Sequence, residues 1–126
     1  MRIRSRPQSG RRSFPAIIVA AAAVAFLIAS YRVLTADLDV LLTMVPDDAF
    51  YYLQIARHLA ADGRSAFDGV SATNGYHPLW MAILSIPAAI VDDKATLLRL
   101  GIGLSLTLHA AVAILVFRAR TEFEVH

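Results

Sequence analysis

Residues 14–34 read FPAIIVAAAAVAFLIASYRVL, an apolar run in which only Ser30, Tyr31 and Arg32 carry polar side-chain atoms. A helix of about twenty such residues rises roughly 30 Å, the thickness of a bilayer's hydrocarbon core. The whole chain agrees with that reading. Of its 126 residues 57% are hydrophobic and its mean hydropathy is +0.56, above the apolar share of about 45–50% usual in soluble domains. An all-α integral membrane protein is the expected class.

The flanks orient the span. Arg2, Arg4, Arg6, Arg11 and Arg12 supply five of the twelve basic residues. By the positive-inside rule this basic tail, residues 1–13, is expected in the cytoplasm, with a first transmembrane helix over 14–35 leading outward and Tyr31 and Arg32 at the far interface. Residues 36–76 then carry Asp37, Asp39, Asp47, Asp48, Asp62 and Asp68 against only Arg57 and Arg64. That asymmetry fits an extracytoplasmic segment of a multi-pass protein of the cell (inner) membrane. The pI is near 9.4, yet the net charge is only +2, so the basicity is a tail and no nucleic-acid partner is expected. The absence of cysteine excludes disulfides and thiolate metal sites. A rival reading takes Arg11-Arg12-Ser13-Phe14 as a twin-arginine export signal. It is disfavoured because the apolar run exceeds a usual signal core and bulky Ile28 precedes the best cleavage point, after Ser30.

Two more spans are expected downstream. Residues 76–91 form a short one, with Pro78 near its first turn, Trp80 at interface depth and Pro87 inside. Sixteen residues reach only about 24 Å, so this segment either crosses a thinned region or turns back as a re-entrant hairpin. Residues 95–117 form a comfortable third span, followed by a C-terminal tail over 118–126. Three spans would leave the C-terminus outside. Within the third, Gly101, Ser105 and His109 recur every four residues and offer a face for close helix approach. His109 reads as a neutral imidazole bonded to a neighbouring helix, and Arg99 as a side chain reaching the cytoplasmic interface.

The outer loop, residues 36–75, contains the most informative block. Residues 47–62 read as one amphipathic helix, with Asp47 or Asp48 at the N-cap and Gly63 as its stop. Ala49, Tyr52, Leu53, Ala56, Leu59 and Ala60 make the apolar face, with Gln54, Arg57, His58 and Ala61 opposite. Such a helix is expected along the membrane surface, with Tyr51 and Tyr52 at headgroup depth. The turn signals Phe67-Asp68-Gly69 and Thr73-Asn74-Gly75 then fold the chain back toward Tyr76-His77-Pro78.

The order PDDAFYYLQIAR at 46–57, FDG at 67–69 and TNGYHPLW at 73–80 resembles the first outer loop of bacterial polytopic GT-C glycosyltransferases, the dolichyl-phosphate-mannose mannosyltransferase-like and aminoarabinose-transferase-like group. The resemblance covers about 35 residues and the flanking topology. It implies a lipid bilayer setting, a polyprenyl-phosphate-linked sugar donor, and an acidic pair facing donor and acceptor. Asp47 matches the leading acidic residue and is the expected base for the acceptor hydroxyl, with Asp48 as its neighbour. The donor already carries a good leaving group, so a base and in-line geometry are the main requirements. The two carboxylates are also able to hold a divalent cation between them. His77, Arg57 and Tyr76 are the substrate-binding candidates.

Against this stands the commoner role of aspartates at a helix start, which cap free N–H groups and complement the helix dipole. GT-C proteins also have many more spans. The chain is therefore expected to be the N-terminal module of such an enzyme, incomplete on its own. The alternatives are a small subunit that completes a site with transmembrane helices of another chain, and a non-catalytic scaffold associated with a larger polytopic partner.

Overall fold

A computed structural model describes residues 13–123 as five helices: α1 (Ser13–Thr35), α2 (Leu38–Met44), α3 (Asp47–Asp62), α4 (Pro78–Ala88) and α5 (Lys94–Phe123). The basic tail with its five arginines, and the last three residues, lie outside the described residues. Among the described residues the only strand-like pairing is an isolated antiparallel bridge between Ala66 and Ala72.

Two of the helices are long and apolar enough to cross a membrane: Ala16–Thr35 within α1, and Lys94–Arg120 within α5. Only about 6% of either segment is buried inside the protein, so neither is a core helix of the usual mostly enclosed kind. Leu27 and Leu34 on α1 and Leu115 on α5 are each more than 60% exposed. The two helices pack on each other, with Val33 buried.

In the stretch where a short span over residues 76–91 is expected, the helix covers only Pro78–Ala88. α4 has eleven residues and rises about 16 Å, half of what a crossing requires. Pro78 starts it, where the missing N–H costs nothing, and Pro87 falls in its last turn. Its apolar residues serve a different purpose, since Met81 and Leu84 turn inward and form one buried cluster with Ile55 and Ala56 of α3. α3 packs chiefly on α4, and both also touch α5.

The helix expected over 47–62 is found over that span. Gly63 ends it with φ +72°, donating its N–H to the Leu59 carbonyl at 3.1 Å. In this left-handed conformation a side chain would be strained, which glycine avoids. Two expectations about this helix need correction. The N-cap is Pro46, and Asp47 and Asp48 are the first two helical residues. The buried stripe also runs through Ile55, fully enclosed, because neighbours contact α3 on more than one side and a single apolar face does not describe it.

α2 is the element the sequence reading lacked. Its seven residues, LDVLLTM, sit within the loop expected over 36–75, and Leu41 is fully buried.

Residues 64–77 fold back onto α3 through hydroxyl and imidazole contacts. Ser65 Oγ shares a hydrogen bond of 2.6 Å with Tyr76 Oη. The Thr73 N–H donates to the Ser65 carbonyl at 2.8 Å. Tyr51 Oη bonds Thr73 Oγ1, and His58 Nδ1 meets the Ala66 carbonyl at 2.7 Å. The Phe67 ring stacks on Tyr51 at 5.3 Å. The tyrosines expected at headgroup depth therefore clamp the loop. At the turn, Asp68 Oδ1 accepts the N–H groups of Ser71 and Val70 at 2.7 and 2.8 Å. Those bonds hold its carboxyl below the ordinary value of 3.8.

Candidate functional site

The first turn of α3 is positioned by Pro46. Its extended backbone, φ −70° and ψ 158°, brings the chain in from α2, and its carbonyl accepts the Ala49 N–H at 2.9 Å. No side chain caps the helix, so the charges of Asp47 and Asp48 complement the positive end of the helix dipole without using up their oxygens in cap bonds. Both residues are exposed.

Asp48 lines a cleft of about 300 Å³ between α3, α4 and α5, together with Tyr52, Leu53, Trp80, Gly101 and Ser105. Asp47 is not among its lining residues. Of the two carboxylates, the one the family pattern puts second is the one that faces the hollow. Gly101 makes the cleft by letting α5 come close, since a Cβ there would sit 3.4 Å from Leu53 and 3.7 Å from Leu84. The spacing of Gly101 and Ser105 marked this face in the sequence. Which helices come to it depends on the packing of α3 and α4.

His77 does not line the cleft but is held one hydroxyl away from it. Its backbone N–H donates to Tyr52 Oη at 2.9 Å, and the same hydroxyl bonds Nδ1 of its ring. A phenol has one hydrogen. With hydrogen on Nε2 the phenol donates to Nδ1, and with hydrogen on Nδ1 the ring donates to the phenol oxygen. Tyr52 thus joins the cleft wall to His77, a role not expected from the sequence. The two rings stack at 6.2 Å.

The other candidates are dispersed. Arg57 lies nine residues along α3 from Asp48, about 14 Å of rise. It donates from Nη1 to the Asp92 carbonyl at 2.7 Å and lines a separate hollow. Tyr76 belongs to the loop clamp through Ser65. His109, expected to bond a neighbouring helix, meets its own Ser105 carbonyl through Nδ1 at 2.7 Å and is exposed. Arg99, expected to reach the cytoplasmic interface, is engaged within the protein. It reaches the end of α1, where Nη2 donates to the Ala36 carbonyl at 2.7 Å and Nη1 to that of Val33.

Among the described residues no three His, Asp or Glu side chains gather where a metal ion would sit. Two adjacent carboxylates, of which one faces the cleft, do not by themselves make a resident cation site. The arrangement offers one carboxylate oxygen donor set, an aromatic wall of Tyr52 and Trp80, and a hydroxyl at Ser105, over an apolar floor. It is suited to accept a proton from a polar group presented at the mouth of an apolar slot.

No family model, curated protein or solved structure matches the chain.

Proposed function

We propose that α1 and α5 cross a bilayer as an antiparallel pair, and that the cap formed by α2, α3 and α4 stands on its extracytoplasmic side. Arg99, in the second turn of α5, bonds the carbonyls at the end of α1. The chain therefore enters α5 at the level where it left α1. With α4 too short to cross, the number of spans is two, and both ends of the pair face the same side. The charges support this orientation. Asp37, Asp39, Asp47, Asp48, Asp62, Asp68, Asp92 and Asp93 lie between the helices against Arg57 and Arg64, whereas Arg118 and Arg120 follow at the far end of α5.

On that cap, Asp48 acts as the general base of a GT-C type glycosyl transfer from a polyprenyl-phosphate-linked donor. It takes the proton of the acceptor hydroxyl as its oxygen bonds the anomeric carbon and the lipid phosphate leaves. Asp47 is its acidic neighbour. The observation that carries this reading is the opening of the Asp48 cleft between Tyr52, Trp80 and Ser105 beside the apolar helix pair. Its few polar groups leave the sugar and phosphate to be held by further transmembrane helices of the same or another chain.

Two experiments test the proposal. The chain has no cysteine, so single Ser71→Cys and Thr121→Cys variants report sidedness cleanly. An impermeant maleimide is expected to label the first in intact cells and the second only after permeabilisation, and the reverse pattern overturns the orientation. In proteoliposomes supplied with polyprenyl-phosphate sugars, Asp48→Asn is expected to lower transfer by about 10²-fold or more, and Asp47→Asn by less. Full activity of Asp48→Asn overturns the base assignment.

A second reading is a non-catalytic membrane subunit, favoured by the uncovered apolar flanks of α1 and α5. It predicts co-purification with a polytopic partner that survives Asp48→Asn without loss of the partner's activity.

A further inference from the structure

The hollow that holds Arg57 is separate from the Asp48 cleft. It measures about 240 Å³ and lies between α2, α3 and the start of α5. Leu38 and Leu42 of α2 and Phe50 of α3 form an apolar bed, and Arg57, Gln54 and Lys94 form its polar rim. Leu38 is 43% and Leu42 41% exposed, so the bed is open at the surface.

Neither cation of this hollow forms a close ion pair with a carboxylate among the described residues, although the Asp93 charge acts on Arg57 from further off. Arg57 is anchored on the neutral Asp92 carbonyl, which fixes one nitrogen and leaves the remaining guanidinium N–H groups for another acceptor. Lys94 makes no hydrogen bond or ion pair among the described residues. The nearest acid shown to act on either cation is Asp93, and its oxygen is shared with a backbone donor. Asp93 Oδ2 accepts the Thr96 N–H at 2.7 Å, and Asp62 pairs with Arg64 on the far loop. Two positive side chains beside one apolar bed repel each other, and an anion with a hydrocarbon tail relieves both costs at once. The height fits as well. Lys94 is the first residue of the α5 segment able to cross a membrane, so it stands where hydrocarbon gives way to headgroups.

We propose that this hollow binds an anionic phospholipid of the surrounding bilayer, its phosphate between Arg57 and Lys94 and one acyl chain over Leu38, Leu42 and Phe50. A zwitterionic lipid is disfavoured because its ammonium group meets the same two cations. The proposal rests on the membrane setting proposed above, but not on the glycosyl transfer.

The test uses the full chain in mild detergent with equal amounts of phosphatidylglycerol and phosphatidylcholine, read by native mass spectrometry. One retained phosphatidylglycerol per chain is expected, preferred roughly tenfold. Lys94→Gln, which breaks no contact, is expected to lose a large part of that preference, and Arg57→Gln/Lys94→Gln all of it. Arg32→Gln/Arg64→Gln removes the same charge elsewhere and should leave it intact. Absence of preference in the parent chain, or equal loss in the control, overturns the site. Displacement of the lipid by inorganic phosphate alone overturns the choice of a lipid as its occupant. Because the sidedness labelling does not depend on this hollow, a chain that spans as proposed but shows no lipid preference rejects this inference alone.

Discussion

Arg99 of α5 donates to the backbone carbonyl of Ala36, just beyond the last residue of α1, at 2.7 Å. A second nitrogen of the same guanidinium reaches the Val33 carbonyl, so one side chain satisfies two of the acceptors that a helix end leaves without intrahelical partners. The planar fork suits two carbonyls a turn apart in a way an ammonium does not. Arg99→Met should loosen the α1–α5 pair by roughly 2–4 kcal/mol, the usual scale for losing charge-assisted bonds and leaving their acceptors bare. Arg99→Lys should recover part of it. Steric trapping or denaturant titration in micelles measures the difference, and an Arg99→Met chain as stable as the parent excludes this staple.

Tyr52 and His77 make a second coupling. The phenol oxygen accepts from the His77 backbone and shares a second hydrogen bond with its ring Nδ1, so Tyr52→Phe removes two bonds with no change of shape. The expected cost is about 1–2 kcal/mol, modest because the pair is in contact with solvent. The more specific outcome is spectroscopic. Ring ¹⁵N shifts of His77 should report one dominant tautomer in the parent and a mixture in Tyr52→Phe. An unchanged tautomer in the variant means that another group fixes the ring.

Two carboxylates give the pH response a direction. Asp68 is held below 3.8 by the N–H groups of Ser71 and Val70, and Asp93 by its bonds to the Thr96 side chain and backbone. A depressed folded-state value means that the stabilisation is present above the ordinary 3.8 and is lost as pH falls through the lower folded value. Amide exchange in the 68–71 turn and at the start of α5 should therefore show opening that is flat from neutral pH down to about 4 and rises below it. Asp68→Asn should open the turn to a similar extent at neutral pH without affecting α5. Opening that begins well above pH 4 would mean that these two carboxylates do not control it.

The sequence is legible wherever a local signal suffices. The apolar run of α1, the 47–62 helix and its glycine stop, and the turn at Phe67-Asp68-Gly69 each depend on residues within a few positions of one another. The misreadings are tertiary. Residues 78–88 are as apolar as a membrane segment, and only the buried contact of Met81 and Leu84 with Ile55 and Ala56 reveals that the apolarity serves α3. Arg99, expected at the inner interface, instead bonds the carbonyls at the end of α1. α2 escaped because seven residues between Asp37 and Pro46 are too few to establish a period. In the site, the acidic pair was visible as residue types. Which of its members faces the cleft depends on the phase of α3 against α5, and that phase is not written in α3 alone.

Gly101 sets that phase. It is buried, and a Cβ there would come 3.4 Å from Leu53 Cδ2 and 3.7 Å from Leu84 Cδ2. A methyl group therefore fits with slight adjustment of two flexible leucines, whereas a larger side chain does not fit at the present separation. Gly101→Ala should stay within about 1 kcal/mol of the parent, its gain in helix propensity offsetting the tighter contact. Gly101→Leu should cost about 1–3 kcal/mol, push α5 from α3, and widen the cleft that Asp48, Trp80 and Ser105 share. Trp80 reports the change directly: its emission should move to longer wavelength and become more accessible to acrylamide in Gly101→Leu but not in Gly101→Ala. Should both variants leave Trp80 and stability unchanged, α5 does not approach α3 and α4 at this position, and the carboxylate of Asp48 loses the far wall of its cleft.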